Sequence, residues 1–387
     1  MVLSRSMTSV VVATPDVVGD RMAGPGIRAY HLAHEMAKAF PTTLVAEFQD
    51  FHLERTGFEV VQRGTRRAAR ALRRADVVVG QPFRDLVNRM HGKQKLVFDL
   101  FDPVVLELPE LAPYRSRVRH AIHLRREWGR LLFALRYGDL LICASGRQRD
   151  FYTGVAAASD PKRIVAADRW IEIPFGVEED PPPETIELPD GDDRPLVVWG
   201  GGVWPWLDPE MAIQAVTGLN ASGVPCRLLF MGMMRPNLAS GQLGRAEELR
   251  RLAAESDGLV IWNENWVRYR ERHQWLNASK VAIMLHRRTV EAEFSVRTRM
   301  FDALWCTLPV ITSEGGLAAD LVEREHLGVV VEPENLESVM AGLRRLLTDD
   351  AYHARSVFNL ERLRPRYRWE VITSPLINAI RQWSEPS

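Results

Sequence analysis

The chain has 387 residues, enough for two domains of ordinary size, and its 50 basic and 50 acidic residues leave no net charge. Bulk electrostatics therefore favours neither a nucleic-acid partner nor an acidic one. Three cysteines lie far apart and form no CxxC pair, which argues for a reducing compartment without structural disulfides or a zinc knuckle. No apolar run approaches the ~18 residues of a transmembrane helix, and no signal-type segment begins the chain, so we expect a cytoplasmic protein.

The first part of the chain predicts alternating strands and helices. The β-branched run SVVVAT at residues 9–14 is typical of a buried parallel strand. A loop with Gly24 and Gly26 follows it, and apolar residues at the helical period predict a helix over residues 27–40. Further strands are expected at 43–46, 75–79, 95–99 and 139–143. This alternation predicts a parallel sheet with helices on both faces.

The pattern stops at residues 177–194, where the acidic and Pro-rich segment VEEDPPPETIELPDGDDR indicates a linker. Strands are expected again at 195–199, 227–231, 259–262, 281–285 and 309–312. We therefore predict an N-terminal domain at 1–176, a hinge linker at 177–194, a second domain at 195–368 and a last helix, within 369–387, that crosses back to the first domain. Ligands of two such domains are expected at the carboxyl ends of their strands.

Residues 291–316, EAEFSVRTRMFDALWCTLPVITSEGG, form the most informative stretch. Ser295, Arg299 and Asp302 are spaced i, i+4 and i+7, so one helix would place them on a single face. A helix N-terminus with nearby arginines suits a phosphate group, and a carboxylate one turn deeper could hold the vicinal hydroxyls of a sugar. The same helix–turn–strand pattern also occurs in α/β proteins that bind no ligand here.

Four segments resemble, in the right order, the retaining glycosyltransferases of family 4 (glycosyl transferases group 1). RMAGPGIR at 21–28 is similar to the Gly-rich acceptor-side loop of that family, and CASGRQRDF at 143–151 to a segment near the end of its first domain. IPFGV at 173–177 looks like the start of the hinge, and FDALWCTLPV at 301–310 looks like the signature EAMACGxPV. The resemblance implies the GT-B fold, in which two Rossmann-like, doubly wound parallel-sheet domains face each other across a cleft.

The resemblance also implies site residues. Asp302 stands where the family has the second glutamate of its paired-glutamate motif, which binds the nucleotide ribose. The first glutamate would lie eight residues earlier, where this chain has Phe294, so Glu293 and Glu291 are both candidates for contact with the donor sugar. Arg299 occupies a place near the pyrophosphate.

The chain departs from the family after the first strand of the second domain. The family has an Arg and a Lys there, whereas GGGVWPWLDP at 200–209 has no base. Backbone N–H groups of the glycines could still hold phosphate. The positive charge would then come from arginines elsewhere, namely Arg235, Arg287, Arg297 and Arg299. The donor-binding candidates are Gly201, Gly202, Arg235, His286, Glu291, Ser295, Arg297 and Asp302.

The predicted chemistry is metal-independent transfer of a sugar from a nucleotide-diphosphate sugar to a sugar, lipid-linked or small-molecule acceptor, without a cofactor. No DxD-type motif is convincing, so fixed dipoles and arginines would stabilise the leaving diphosphate. Asp99 and Asp102 could orient the acceptor hydroxyl, although a capping or pairing function fits them equally well. The catalytic candidates are Asp99, Asp102, Glu293 and Arg299; the acceptor-side candidates are Gly24, Gly26 and Arg28.

Several alternatives stay open. A sugar-nucleotide epimerase uses the same fold, and a catalytically degenerate sugar-nucleotide-binding protein would explain the missing Arg and Lys. A two-domain binding protein without catalysis would normally begin with an export signal. Two basic amphipathic stretches, 63–74 and 115–136, leave a peripheral membrane contact possible, with an ordinary solvated surface as the alternative.

Overall fold

The computed structural model describes residues 8–49, 57–87, 94–160, 166–181, 183–188, 191–234 and 241–384. The chain divides into two compact units. Unit 1 comprises Met1–Val105, Val118–Gly176 and Trp369–Ser387, and unit 2 comprises Leu106–Arg117 and Val177–Arg368. Residues 106–117, predicted in the N-terminal domain, and residues 177–194, predicted as a separate linker, both group with unit 2.

Unit 1 contains a parallel sheet of seven strands. They are β1 (Val10–Gly19), β2 (Thr42–Gln49), β3 (Phe58–Gln62), β4 (Val77–Gly80), β5 (Lys95–Asp99), β6 (Leu140–Cys143) and β7 (Trp170–Glu172). Their order is β3-β2-β1-β4-β5-β6-β7. The central strands are buried on both faces, which is why they read as continuous apolar runs rather than as alternating ones.

Helices connect these strands. They are α1 (Gly24–Ala37), α2 (Arg66–Arg74), α3 (Arg84–Val87), α4 (Val104–Glu110), α5 (Arg117–Tyr137) and α6 (Gly146–Ser159). Helix α1 begins three residues earlier than predicted, so Gly24 and Gly26 lie in its first turn and not in a loop. Pro25 near the helix start explains the difference, because its fixed φ suits the first turn and its missing N–H would have no partner there.

Unit 2 contains a parallel sheet of six strands in the order β10-β9-β8-β11-β12-β13. The strands are β8 (Leu196–Trp199), β9 (Arg227–Met234), β10 (Val260–Asn265), β11 (Val281–Met284), β12 (Val310–Ser313) and β13 (Gly328–Val331). Strands β8 to β10 follow one another toward one edge of the sheet and β11 to β13 toward the other, so the strand order reverses between β8 and β11. Ligands of doubly wound sheets bind outside the carboxyl ends of the strands at such a point.

The helices of unit 2 cover this sheet. They are α7 (Pro209–Ala221), α8 (Gly241–Ala254), α9 (Arg272–Asn277), α10 (Val290–Phe294), α11 (Thr298–Trp305), α12 (Gly316–Glu325), α13 (Leu336–Thr348) and α14 (Asp350–Leu363). The single helix predicted to carry Ser295, Arg299 and Asp302 is shorter in the structure, since α11 begins at Thr298, and a second short helix, α10, precedes Ser295.

The last helix, α15 (Trp369–Ser384), belongs to unit 1. The buried Trp369 ring stacks on His31 of α1, with 4.8 Å between ring centroids, and meets the Phe175 ring edge-on at 5.2 Å. Gly176 lies so close that an added Cβ would come within 2.4 Å of the indole. The C-terminal helix thus completes the core of unit 1.

The predicted fold class, two doubly wound parallel-sheet domains, is confirmed by these two sheets. Across the described ranges, no helix combines the length and apolar character that spanning a bilayer requires.

Candidate functional site

Polar residues of unit 2 gather at the point where β8 and β11 end. The glycine loop, which we define as residues 200–202, follows β8, and His286 follows β11. The two segments are joined, because Leu207 and His286 form an antiparallel bridge and the N–H of Arg287 donates to the carbonyl of Trp206 at 3.0 Å. The topology of the sheet thus builds a site from segments that are distant in sequence.

Helix α11 supplies the positive charge that the glycine loop lacks. The Arg299 guanidinium donates to the carbonyl of Gly202 and lies 5.4 Å from the ring centroid of Trp199. A Cβ on Gly201 would come within 3.2 Å of its Nε, and Gly201 has a φ of +112°. Glycine is therefore required at position 201 both for the backbone conformation and for the close approach of the arginine.

Arg299 is short of counter-charge. Burial lowers its pKa to about 9, and the neighbouring Arg297 acts in the same direction, whereas Asp302 and Glu291 oppose the shift. Within the part of the chain that the structure describes, its one hydrogen bond goes to a backbone carbonyl. Because the guanidinium stays protonated, the lowered pKa measures the cost of holding a charge there, and an anionic ligand would relieve that cost.

Arg297 and Glu291 neutralise each other. Their side chains form two hydrogen bonds of 2.8 Å each, and Glu291 has no exposed side-chain surface. This buried pair draws residues 295–297 into an extended path between α10 and α11. Ser295 consequently does not lie on the face of α11 that carries Arg299 and Asp302, as the i, i+4, i+7 spacing predicts. Its buried hydroxyl has no hydrogen-bond partner among the described residues.

Glu293 and His286 meet at the start of α12. An added Cβ on Gly315 would lie 2.9 Å from Glu293 Oε1 and 3.6 Å from His286 Cε1. Glu293 is exposed, whereas Glu291 is buried in its pair with Arg297, so Glu293 is the acidic side chain that can reach a ligand.

His286 is buried and neutral. Burial lowers its pKa to about 4, and the charge of Arg297 adds to the effect. Its Nδ1 lies 3.2 Å from the carbonyl of Arg287, which can only accept, so Nδ1 carries the proton. The Nε2 of the neutral ring is then a hydrogen-bond acceptor.

Asp302 lies one turn after Arg299 on α11 and is bound by a residue that the sequence analysis missed. Arg272, the first residue of α9, donates from Nε to Asp302 Oδ1 at 3.0 Å. Burial raises the pKa of Asp302, and the positive charge of Arg272 opposes this rise. No motif marks Arg272, since its partners are tens of residues away in the chain.

The candidates in unit 1 form a buried ion pair. Arg28 on α1 contacts Asp99 at the end of β5, with Nε–Oδ2 at 2.6 Å and Nη2–Oδ1 at 3.0 Å. The same guanidinium donates to the carbonyls of Ile173 and Pro174, and both side chains of the pair are at most 5% exposed. This geometry fits the pairing alternative for Asp99. Asp102, three residues later, is half-buried.

The two acceptor-side glycines differ from the prediction in position. Gly24 and Gly26 belong to the first turn of α1. A Cβ on Gly26 would come within 2.1 Å of the carbonyl oxygen of Val17, so glycine lets the helix pack directly on β1. The donor candidate Arg235 lies outside the described residues. No group of three or more His, Cys, Asp or Glu side chains suited to a metal ion occurs in the described ranges.

The second half of the chain matches a known family. Residues 194–349 match a family model described as "Glycosyl transferases group 1", which confirms the resemblance of this part of the chain to that group. No curated protein sequence matches the chain.

Solved structures resemble the whole chain. The sucrose-phosphate synthase of Thermosynechococcus elongatus is 16% identical, with a TM-score of 0.63 over 97% of this chain and 99% of that one. The Anabaena protein HepE, in complex with UDP-glucose, is 13% identical, with a TM-score of 0.68 over 97% and 99%. WaaG, a glycosyltransferase involved in lipopolysaccharide biosynthesis, is 15% identical, with a TM-score of 0.65 over 96% and 99%. Residues 194–349 are thus similar to the group 1 glycosyltransferases, and the chain as a whole has the GT-B fold.

Proposed function

We propose that the protein is a retaining glycosyltransferase that moves a sugar from a nucleotide-diphosphate sugar to a hydroxyl acceptor in polysaccharide, glycolipid or metabolite biosynthesis. The observation that carries this proposal is the half-buried Arg299 side chain, whose guanidinium lies against the glycine loop without a carboxylate partner among the described residues. A leaving diphosphate would supply the missing negative charge. The resemblance to a structure solved with UDP-glucose supports the same ligand class.

Different residues of unit 2 would bind the diphosphate, the ribose and the sugar of the donor. The N–H groups of Gly201 and Gly202, the start of α11 and Arg299 would hold the diphosphate. Asp302 would accept hydrogen bonds from the ribose hydroxyls, and Glu293 with His286 would contact the donor sugar. Because guanidinium and backbone dipoles are fixed before reaction, they stabilise the charge that develops on the diphosphate without reorganising, and no divalent cation is needed in this scheme.

Retention of configuration does not require a protein nucleophile in this proposal. A phosphate oxygen of the leaving group would take the acceptor proton while the acceptor attacks from the same face. The acceptor hydroxyl then needs only to be oriented. Asp102 could do this, whereas Asp99 is already bound by Arg28.

A panel of nucleotides and nucleotide sugars tests the donor site. The correct nucleotide is expected to raise the unfolding temperature of the wild-type protein, since a ligand bound only by the native state stabilises it by mass action. Asp302→Ala is expected to abolish this shift, because the ribose would lose its carboxylate partner. Asp350→Ala changes an exposed side chain that pairs with Lys280, at the opposite end of β11 from His286, so this matched control should keep the shift. A shift that persists in Asp302→Ala would remove Asp302 from the site.

We also propose that the protein binds an anionic membrane surface through α5. This helix carries six arginines and one glutamate, and its buried side chains are confined to Leu131, Ala134 and Leu135 near its C-terminus. The exposed side chains of Val118, Ile122 and Leu132 share one face with Arg125 and Arg136.

The arginines on the first half of α5 are available for such a partner. Arg117, Arg119, Arg125 and Arg126 form no ion pair with any residue that the structure describes. Helix α2, also basic, differs because it exposes no large apolar side chain and packs Ala68, Ala69 and Leu72 inward. An exposed face that is both apolar and basic suits anionic lipid, whereas the face of α2 is an ordinary solvated one.

Vesicle sedimentation tests the membrane contact. The wild-type protein is expected to bind vesicles of phosphatidylglycerol and phosphatidylcholine but not of phosphatidylcholine alone. Each arginine near the surface contributes about 1 kcal/mol, so Arg125→Glu with Arg126→Glu should weaken binding by about tenfold or more. Arg355→Glu with Arg362→Glu makes the same charge change on the exposed face of α14 and should leave binding unchanged. Equal loss in both variants, or self-association through α5, would contradict the proposal.

A further inference from the structure

We infer that Arg272 is a positioning residue of the donor site, which orients the carboxylate of Asp302 and keeps it ionised for the nucleotide. This inference rests on the proposed function of unit 2. It concerns a side chain that touches no reacting atom and acts only through Asp302.

All three nitrogens of the Arg272 guanidinium group are engaged. Besides Nε to Asp302, Nη1 donates to the carbonyl of Tyr269 at 2.7 Å, and Nη2 donates to Glu178 Oε1 at 2.9 Å. The guanidinium lies between two aromatic rings, 3.8 Å from the centroid of Tyr269 and 4.0 Å from that of Trp305. A planar group held on both faces and at every nitrogen is fixed in position, and it therefore fixes the oxygen that it binds.

The arrangement leaves the second carboxylate oxygen of Asp302 for a ligand. Oδ1 accepts from Arg272, and no described residue donates to Oδ2. The side chain is 24% exposed, so a ligand can reach it. A carboxylate with one oxygen held and the other without a donor is suited to accept a hydrogen bond from a hydroxyl group of a ligand.

Arg272 is not required to hold the adjacent linker residues, 178–180. The indole of Trp305 donates to the carbonyl of Glu179, and Arg364 pairs with Asp180 at 2.6 Å. Because the segment has these two other anchors, loss of Arg272 should leave it in place. A functional effect of losing Arg272 should then come from its lost contact with Asp302.

The charges around Asp302 come from every element packed against it. Burial raises its pKa, Arg272 lowers it, Glu178 raises it and Arg299 lowers it. Tyr269 and Cys306 are neutral neighbours whose own pKa values are raised mainly by burial, with a contribution from Asp302. Arg272 and Glu178 therefore act on the same carboxylate with opposite sign.

Because Arg272 and Glu178 shift the pKa of Asp302 in opposite directions, the pH dependence of nucleotide binding tests the inference. A residue with a purely structural function would not change that dependence. The dissociation constant of the nucleoside diphosphate selected by the thermal-shift panel would be measured calorimetrically from neutral pH downward, until wild-type binding is half lost. Binding should weaken as pH falls and Asp302 takes up a proton, since a neutral carboxyl group is a poorer acceptor. In Arg272→Met the pKa of Asp302 rises, so the midpoint of this loss should move to higher pH by about half a unit or more, and binding at neutral pH should weaken roughly tenfold.

Glu178→Gln is the opposing variant. It removes a negative charge near Asp302 while keeping the side-chain shape, so the midpoint should move to lower pH. Arg272→Lys keeps the charge without the planar fork and should weaken binding with a midpoint near that of the wild type. If Arg272→Met fails to fold, the midpoints of Glu178→Gln and Arg272→Lys still test the inference.

Shifts of opposite sign in Arg272→Met and Glu178→Gln would support the inference. Midpoints that stay in place, or that move in the same direction, would overturn it while leaving the donor site intact. A wild-type protein that binds no nucleotide at any pH would overturn the proposed function and the inference with it, so the two failures are distinguishable.

Discussion

Replacing Arg299 with methionine is expected to lower the turnover number by about 10²–10³-fold, the usual cost of removing one fixed group that stabilises transition-state charge. The glycine loop itself carries no base, and Arg297 is neutralised by Glu291, so neither can take over from Arg299. Methionine keeps an unbranched apolar stem and removes the guanidinium group with its charge and hydrogen bonds. Release of nucleoside diphosphate from the donor that the panel identifies would be the measurement.

Two controls make the Arg299 experiment specific. Arg324→Met removes an exposed arginine of α12 that pairs with Glu325, and it should leave turnover unchanged. Assays with and without EDTA should agree in the wild type, because the proposed mechanism uses no divalent cation. Full activity in Arg299→Met, or activity that disappears in EDTA, would contradict the mechanism.

Arg28→Met is expected to destabilise unit 1 by about 3–5 kcal/mol, since it leaves Asp99 charged, buried and without its partner. The carbonyls of Ile173 and Pro174 lose their donor as well. The free energy of unfolding, from urea denaturation followed by tryptophan fluorescence, is the quantity to compare. A loss below about 1 kcal/mol would mean that the pair is not held as tightly as its burial indicates.

The double variant Arg28→Met with Asp99→Leu separates stability from chemistry. Replacing a buried ion pair with apolar side chains of similar size is often neutral, so most of the lost stability should return. Turnover then distinguishes the two functions weighed for Asp99. Activity that returns together with stability indicates a pairing function, and activity that stays low in a stable protein indicates contact with the acceptor.

The positions of strands along the chain could be predicted where burial is complete. Runs such as VVV in β4 and VFD in β5 are buried on both faces, so their composition alone marks them as parallel strands. The three strands that the sequence analysis missed, β3, β7 and β13, all lie at sheet edges. β3 and β7 are partly exposed and carry mixed residues, such as WIE in β7, so they lack that signal. β13 (GVVV) has the same apolar run as β4, so the signal was present there and the strand was overlooked.

The candidate site could be located but not assembled from the sequence. Arg299 and Asp302 were found because they lie within a recognisable segment. The break between α10 and α11 depends on the buried pair of Glu291 and Arg297, which a helical spacing rule does not anticipate. The contact of Arg272 with Glu178 joins residues 94 positions apart, and only the folded chain brings them together.

The position of Trp369 against His31 and Phe175 bears on how the protein matures. Unit 1 needs α15, whose residues follow all the residues of unit 2 in the chain. Although the strands of unit 1 are synthesised before unit 2, the core around His31 therefore stays incomplete until the ribosome has passed unit 2 and reached α15. The half of the enzyme that is begun first is therefore completed last.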